Sequence, residues 1–320
     1  MINRRKFLAT SAITTAATAL LPMPYIRAQP TTTIKMGALK LIHSIAPHFY
    51  ERFTPAGYTV EVTPFESPTE GKNAVVTKSV DFGMFGIAAG ILGAAAGEPL
   101  TVIGGACNKG MGVVAGKDSD IATIADLKGR RVAIWPGSTQ EVFILERLRM
   151  EGLSVKDITP IRISFSEMHL ALARGDVDAY VGAEPAPGVS IASGVGKIVE
   201  YPYGTAMGGL NMIMGAHRDT LAEKPEMVAV TLDIHRQASE FAMANTGEMV
   251  SMAVAKLGQK REAIEVSAPN VELTWYFGDT EKKQAQTYAQ HMVELKQIKQ
   301  VPDFNSFVDT SFVEKLKQQG

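Results

Sequence analysis

Hydrophobic and polar positions follow two different periods in the middle of the chain. A short apolar run over residues 131–135 is typical of a buried strand, and Pro136-Gly137 ends it. Ser138 and Glu141 then predict a capping box, in which the serine side chain accepts from an amide and the glutamate reaches back to another. Apolar residues recur at helical spacing as far as Gly152, so the pattern predicts a strand, a turn and a helix.

The same order of elements occurs twice more. Residues 161–165 predict a second strand, and the next helix is expected to be capped by Ser166 and closed by Gly175. Residues 177–183 predict a third strand, which runs into Glu184-Pro185, where proline suits the first turn of a helix. Alternating strands and helices predict an open parallel sheet, whose ligands lie beyond the carboxyl ends of the strands. The turns after the first and third strands are therefore the predicted functional positions.

The flanking sequence predicts a second group of elements. Strand patterns are expected at residues 33–37, 58–63, 79–83, 100–105, 111–115 and 210–216. Helical patterns are expected at residues 42–53, 67–78, 86–97, 225–244, 246–257 and 280–298. The strand at 111–115 is expected to leave this group and the strand at 210–216 to return to it. The chain is therefore predicted to be an α/β protein.

Four short motifs in this order resemble a known family. Residues 125–133 read Ala-Asp-Leu-Lys-Gly-Arg-Arg-Val-Ala, and Pro-Gly-Ser-Thr follows at 136–139. Arg-Gly-Asp-Val-Asp-Ala stands at 174–179, and Glu184-Pro185 follows. In order and spacing these motifs resemble the periplasmic binding proteins of sulfonate-, nitrate- and taurine-type ABC importers. The resemblance extends, more weakly, from about Thr33 to the C-terminus.

The resemblance implies a two-lobed type II periplasmic binding protein fold, each lobe a mainly parallel sheet flanked by helices, with a two-strand hinge. Lobe 1 would comprise residues 29–115 and 210–320, and lobe 2 residues 116–209. The implied function is extracytoplasmic solute binding: a small organic solute is captured between the lobes and delivered to an ABC permease of the inner membrane, which works with a cytoplasmic ATPase. No cofactor is implied, and a monomer is expected.

The first 28 residues have the pattern of an export signal. They contain no Asp or Glu, and Arg4 and Arg5 precede an Ala- and Thr-rich, mildly apolar segment, as in twin-arginine signals. Ala28 is small enough for a cleavage site. The alternative is a membrane anchor, but the apolar run is short and interrupted by hydroxyl residues. The pattern favours export through the twin-arginine translocase into the periplasm.

Charge and cysteine content narrow the classes of function. Removing the four basic residues of the signal from the chain's 32 Lys and Arg, against 33 Asp and Glu, leaves a formal charge of −5. A nucleic-acid partner would require a basic face, so none is expected. Cys107 is the only cysteine of the chain, which excludes an internal disulfide.

No catalytic or metal-binding motif is apparent. The six histidines do not pair with another histidine, a cysteine or a carboxylate at a spacing typical of metal ligands. There is no Walker loop, nucleophile elbow or dinucleotide fingerprint after a suitable strand. Cys107 is predicted to be a small buried residue. We therefore expect neither a catalytic residue nor a metal.

Binding is expected instead at turns that present backbone amides. Ser138 and Thr139 place hydroxyl groups beside the unpaired amides of a helix start, a combination that suits an oxyanion. The alternative is that Ser138 only caps its helix. Trp135, just before the turn, is either an aromatic wall of the site or part of the core.

The resemblance adds further candidates. Glu184 stands where the family has an acid that lines the cleft, although an acid in the first turn of a helix is also favourable by itself. Residues 84–87 are more apolar than the matching stretch of sulfonate binders, which favours an aromatic or pyrimidine compound as the alternative solute. The remaining substrate-binding candidates are Lys40, Ser67, Phe85, Gly86 and Asn211.

Two other functions stay open at the level of sequence. One is an enzyme on the same fold, either a desulfinase-like hydrolase that uses Cys107 or a thiamine-pyrimidine-synthase-like protein; export argues against both. The other is a periplasmic solute sensor, which would dock on a receptor in place of a permease.

Overall fold

The computed structural model describes residues 31–319, and the predicted signal residues Arg4, Arg5 and Ala28 lie outside this range. The strands of the described part are β1 (Thr32–Leu39), β2 (Tyr58–Phe65), β3 (Phe82–Gly86), β4 (Leu100–Lys109), β5 (Met111–Gly116), β6 (Arg131–Ile134), β7 (Thr159–Arg162), β8 (Ala179–Ala183), β9 (Gly196–Glu200), β10 (Leu210–His217) and β11 (Val271–Leu273).

The strands form two separate sheets. A six-stranded sheet has the order β11-β4-β10-β3-β1-β2, and a five-stranded sheet has the order β7-β6-β8-β5-β9. We call the six-stranded sheet with its helices (31–109 and 210–319) the larger half, and the five-stranded sheet with its helices (111–200) the smaller half. Both sheets are mixed. The pairs β1–β2, β1–β3, β6–β7 and β6–β8 are parallel, whereas β5 pairs antiparallel with β8 and β9, β10 pairs antiparallel with β3 and β4, and β11 pairs antiparallel with β4.

Helices cover both sheets. They are α1 (Pro68–Val76), α2 (Ile87–Ala95), α3 (Thr139–Met150), α4 (Met168–Arg174), α5 (Ala186–Ala192), α6 (Arg218–Glu223), α7 (Pro225–Ala244), α8 (Thr246–Leu257), α9 (Arg261–Ser267), α10 (Asp279–Glu294), α11 (Phe304–Phe307) and α12 (Ser311–Lys317). Short 3₁₀ helices occur at Ile42–Ser44, Ala46–Phe53, Ile124–Leu127, Val155–Asp157 and Ala268–Asn270. In residues 31–319 no helix combines the length and the apolar character that a membrane crossing requires.

The chain crosses between the halves twice. The first crossing turns at Gly110, where φ is +72° and the neighbouring Lys109 has φ of +60°. A side chain at Gly110 would strike the ring of His43, so both the conformation and the space require glycine. The second crossing runs through residues 201–209. Each crossing enters its new sheet at the edge where the parallel strands end, which is why β5 and β10 run against their neighbours.

The apolar core continues from one half into the other. Val142 and Phe143 of α3, both fully buried, belong to the same hydrophobic cluster as Tyr288 and Met292 of α10 in the larger half. Burying a side chain of this size contributes about 1.5–3 kcal/mol relative to exposure. The two halves therefore share buried apolar surface on the side of α3.

Most elements lie where the sequence predicts them. The helices at Pro225–Ala244 and Thr246–Leu257 have the predicted bounds. Several details of the prediction are wrong. The strand expected at 79–83 is Phe82–Gly86, and the helix expected at 280–298 ends at Glu294. The segment predicted as one helix at 42–53 consists of 3₁₀ helices; the second strand of the smaller half is Thr159–Arg162; and the N-cap of α4 is Glu167 in place of Ser166.

Candidate functional site

A small cavity lies where the carboxyl edges of the two sheets face each other. Three helix starts reach it: Pro68 is the first residue of α1, Gly86 is the N-cap of α2, and Gln140 lies in the first turn of α3. The cavity has a volume of about 10 Å³, room for about one water molecule. We call it the inner cavity, and its lining consists of Leu39, Leu41, His43, Pro68, Gly86, Gln140, Phe165, Asn211 and Met212.

A wider pocket of about 230 Å³ adjoins the inner cavity, and we call it the outer cleft. Leu41 and Phe165 line both spaces. At the outer cleft, the half-exposed side chains of Lys40 and Glu66 form an ion pair. The remaining lining residues are Ser166, His169, Pro185, Ala186, Val189, Lys256, Leu257 and Gln259. Charged side chains thus line the outer cleft, whereas the inner cavity is lined by uncharged residue types and one histidine.

The starts of α2 and α3 lie against each other across the two halves. No side chain caps α2, whose N-cap is Gly86. A Cβ added at Gly86 would lie 2.6 Å from Oγ1 of Thr139, so only glycine allows this approach. Thr139 Oγ1 donates a hydrogen bond of 3.3 Å to the backbone carbonyl of Asn211. Helix starts carry partial positive charge and unpaired amides, so their convergence on one cavity favours an anionic group there.

Ser138 is fully buried and caps α3. Its Oγ accepts from the amide of Glu141 at 3.1 Å. The reciprocal half of the predicted capping box is displaced by one residue, because the Glu141 carboxylate accepts from the amide of Gly137 at 2.8 Å. Burial raises the pKa of Glu141, and the Gly137 amide opposes that shift. Ser138 is absent from the lining of both spaces, which supports its alternative interpretation as a cap.

The Glu184 carboxylate is fully buried away from the inner cavity. It accepts from the amide of Gly188 at 2.9 Å, from Oγ of Ser267 at 2.8 Å and from Nδ2 of Asn270 at 2.8 Å. Burial raises its pKa, and these three hydrogen bonds oppose the shift. The carboxylate thus joins the smaller half to α9 and the turn after it, and only the following Pro185 reaches the outer cleft; solute contact by Glu184 stays a prediction.

Phe85 and Trp135 also lie outside both spaces. The Phe85 ring is fully buried in the core, where it lies against Gly90 and Gly215. It fills the space that these glycines leave, and its predicted contact with a solute stays a prediction. The Trp135 ring packs at the edge of the core with the guanidinium of Arg162 4.9 Å from its centre.

Of the other candidates, three line the inner cavity or the outer cleft, and one caps a helix that reaches the inner cavity. Asn211 lines the inner cavity, and its Nδ2 donates to the carbonyl of Lys109 at 2.7 Å. Gly86 lines the inner cavity as well, and Lys40 lines the outer cleft. Ser67 is buried and caps α1 by accepting from the amide of Glu70 at 3.3 Å. It therefore stabilises the helix start that reaches the inner cavity. Solute contact by Gly86, Asn211 and Lys40 stays a prediction.

Several lining residues were not among the sequence-based candidates. His43 and Gln140 are the polar ones in the inner cavity, and Phe165 forms the wall shared with the outer cleft. Gln140 follows the predicted Ser138-Thr139 turn directly, so its position at a helix start was a usable signal. His43 had no such signal, because its neighbours in the cavity come from distant segments.

Neither a reactive thiol nor a convincing metal site accompanies the cavity in the described part of the chain. Cys107 is fully buried, and burial raises the pKa of its thiol well above the usual range. Glu146, His291 and Glu294 could supply three ligand atoms to a cation. Arg149, however, donates to both carboxylate oxygens of Glu146, at 2.7 and 2.8 Å, and so occupies that ligand.

Comparisons with known proteins agree with this architecture. The model of a family described as NMT1/THI5 like matches residues 52–249, more than half of the chain. The chain belongs to the NMT1/THI5-like family. A protein of Bacillus subtilis (strain 168) named as an aliphatic sulfonates-binding protein is 24% identical over 85% of this chain and 82% of its own length. A protein of Escherichia coli (strain K12) with the same name is 31% identical, but over only 38% of this chain and 39% of its own length.

A solved structure extends the likeness to the fold. The alkanesulfonate-binding protein SsuA from Xanthomonas axonopodis pv. citri, bound to MOPS, superposes with a TM-score of 0.77. It is 21% identical, and the match covers 88% of this chain and 99% of that one. The predicted α/β fold of a periplasmic binding protein, with two sheets flanked by helices, is thereby confirmed.

Proposed function

We propose that the protein is the extracytoplasmic solute-binding component of an ABC importer and captures a small organic anion between its halves. The observation that carries the proposal is the inner cavity, in which the starts of α1, α2 and α3 converge on a space without a charged lining residue other than a titratable histidine. Backbone amides and helix dipoles would hold the anionic group of the solute. The names of the relatives support an anion of the sulfonate type.

The shape of the solute follows from the cavity walls. Leu39, Leu41, Phe165 and Met212 offer apolar surface beside the helix starts. The inner cavity has room for about one water molecule, so it would have to widen to admit a solute group, and the outer cleft of about 230 Å³ leaves space for the rest of the molecule. We therefore propose an anionic head on a short apolar body, such as an alkanesulfonate or an aromatic carboxylate.

Entry and release would require the halves to separate. We propose that they are the two lobes of the binding protein and that they move about the crossings at Gly110 and at residues 201–209. The closed arrangement would be held by the Thr139–Asn211 hydrogen bond and by the bond of 2.9 Å from Nε2 of Gln297 to the Glu141 carboxylate. A permease with its ATPase would accept the closed, loaded protein, and the twin-arginine pattern at Arg4 and Arg5 supports export to the periplasm.

Binding without catalysis is the function that the site supports. A hydrolase of the desulfinase type would require a reactive thiol, whereas burial holds the Cys107 thiol protonated and out of reach of solutes. The relatives reported above are named as binding proteins, in agreement with this proposal.

A thermal-shift screen of the protein from Gln29 onward tests the proposal. The panel should pair each sulfonate and carboxylate with its uncharged amide. An anion at about a hundred times its dissociation constant stabilises the protein by about 2.7 kcal/mol, which gives a clear shift of the melting temperature. Stabilisation by anions and not by their amides is the expected result. Stabilisation by amides alone, or by neither class, would contradict it.

A further inference from the structure

His43 occupies an unusual position in the inner cavity. It lies in the 3₁₀ helix Ile42–Ser44, directly after β1, and is fully buried. Neither Nδ1 nor Nε2 has a hydrogen-bond partner among residues 31–319. Buried polar side chains almost always have such a partner, and because His43 lines the inner cavity, a ring nitrogen that reaches this space could take its partner from a bound solute.

The surroundings of the His43 ring determine its protonation state and the hydrogen bonds that it can form. Its Nε2 edge lies against Gly110, close to the backbone carbonyls of Lys109, Gly110 and Glu184, but none of these reaches hydrogen-bond geometry. Burial lowers the pKa of His43 to about 4, and the nearby carbonyls only partly oppose that shift. The ring is therefore neutral near pH 7 and offers one donor and one acceptor.

A buried histidine elsewhere in the larger half provides the contrast. His235 is equally buried, but its Nε2 donates to the carbonyls of Gly105 and Thr274, at 2.9 and 3.1 Å, and its Nδ1 accepts from the Ser239 hydroxyl at 3.2 Å. The fold thus satisfies one buried histidine completely and leaves the one on the cavity wall unsatisfied.

We propose that His43 is a specificity-determining residue, which hydrogen-bonds a second polar group of the solute. The inference rests on the proposed function and names the class of solute more narrowly: an organic anion that carries a hydroxyl group besides its anionic head. The head binds at the helix starts, and His43 selects for the second group. An unsubstituted alkyl anion leaves the ring unpartnered, and a site built for a hydrogen bond discriminates against such analogues.

Matched pairs of solutes test the inference by calorimetric titration. The probes are 2-hydroxyethanesulfonate with propane-1-sulfonate, 3-hydroxypropanoate with butanoate, and 4-hydroxybenzoate with 4-methylbenzoate. In each pair a methyl group replaces the hydroxyl group. The protein is expected to bind the hydroxylated member of at least one pair about tenfold more tightly or better. Equal or weaker binding of the hydroxylated member in every pair overturns the inference.

Variants then assign the preference to His43. His43→Leu should remove the preference by weakening only the hydroxylated member, and His43→Gln, which keeps a donor and an acceptor, should restore part of it. His235→Leu is the matched control, because it also replaces a buried histidine; the preference should survive that change. A preference that persists in His43→Leu, or an equal loss of both members, assigns His43 a structural role and overturns the inference.

The titrations distinguish failure of the proposed function from failure of the inference about His43. If the protein binds no anion of any pair, the proposed function fails and this inference fails with it. If anions bind without regard to the hydroxyl group, only this inference fails. Should His43→Leu not fold, the ring ¹⁵N resonances of the unmodified protein give the answer. The hydroxylated solute should shift those of His43 and leave those of His235 in place, and an unmoved His43 signal overturns the inference.

Discussion

The hydroxyl of Thr139 donates a hydrogen bond of 3.3 Å to the backbone carbonyl of Asn211, and so joins the start of α3 to β10 across the two halves. Thr139 is fully buried, and Asn211 lines the inner cavity. The bond therefore connects the closing surface directly to the wall of the proposed solute site. Closure and solute binding should respond together when it is removed.

Thr139→Val keeps the shape of the side chain and removes this bond. Because a hydrogen bond of this kind contributes about 0.5–1.5 kcal/mol, solute affinity should fall about two- to tenfold in calorimetric titrations. Thr231→Val is the control: it removes a buried bond of 2.7 Å to Met227 inside α7, so it should lower stability and leave affinity unchanged. Equal affinities of Thr139→Val and the unmodified protein would argue against a closure bond.

Gly86→Ala should block the close approach of α2 and α3. Its backbone, with φ of −62° and ψ of 142°, accepts alanine, but the new Cβ would lie 2.6 Å from Thr139 Oγ1. We expect the fold to persist and affinity to fall about tenfold or more, since overpacking costs about 1–3 kcal/mol. Adding Thr139→Ala, which removes the clashing oxygen, should restore part of the affinity. Gly247→Ala, with open space around it, is the control.

Glu184→Gln should reduce stability more than affinity. Glutamine cannot accept from Gly188, Ser267 and Asn270 as the carboxylate does, and a buried group left without its partner costs about 1–3 kcal/mol. Urea denaturation measures this loss, and Ser267→Ala in the same background shows whether the effects are coupled. Undiminished stability with lost solute binding would restore the sequence-based interpretation of Glu184 as a ligand.

Stability should fall on mild acidification. Burial lowers the pKa of both His43 and His235 from 6.5 to about 4, so between these values the unfolded chain binds more protons than the folded one. The free energy of unfolding therefore decreases as pH falls, by up to about 1.4 kcal/mol per pH unit for each histidine. Urea midpoints between pH 7.0 and 5.5 check this; the Glu141 and Glu184 carboxyls, whose pKa burial raises, act in the opposite direction and reduce the expected decrease. A constant midpoint, or one that rises, is the contrary result.

Local sequence patterns were sufficient to predict most of the helices and strands. Pro225 begins α7, and Gly258 ends α8 in a left-handed conformation, so both helices carry their own start and stop signals. The sheets followed from the alternation of strands and helices, and the turn at Ser138 from its capping pattern. These features depend on neighbours within a few residues, which is why the sequence alone could place them.

The residues that line the inner cavity could not be predicted in the same way. All five residues of β3 are buried, so no alternation indicated that Phe85 faces the core while Gly86 faces the cavity. Glu184 follows a strand, as site residues do, but its partners Ser267 and Asn270 come from more than 80 residues away. His43 could not be found from the sequence for a similar reason, because its position depends on Gly110, which is also distant in sequence.

The most direct test of the central claim is a calorimetric titration of the unmodified protein with the best anion from the thermal-shift screen and with the corresponding uncharged amide. The account predicts that the anion binds with a stoichiometry of one and that the amide binds at least about tenfold more weakly, because the helix starts supply the attraction. Equal affinity for the two compounds would contradict it.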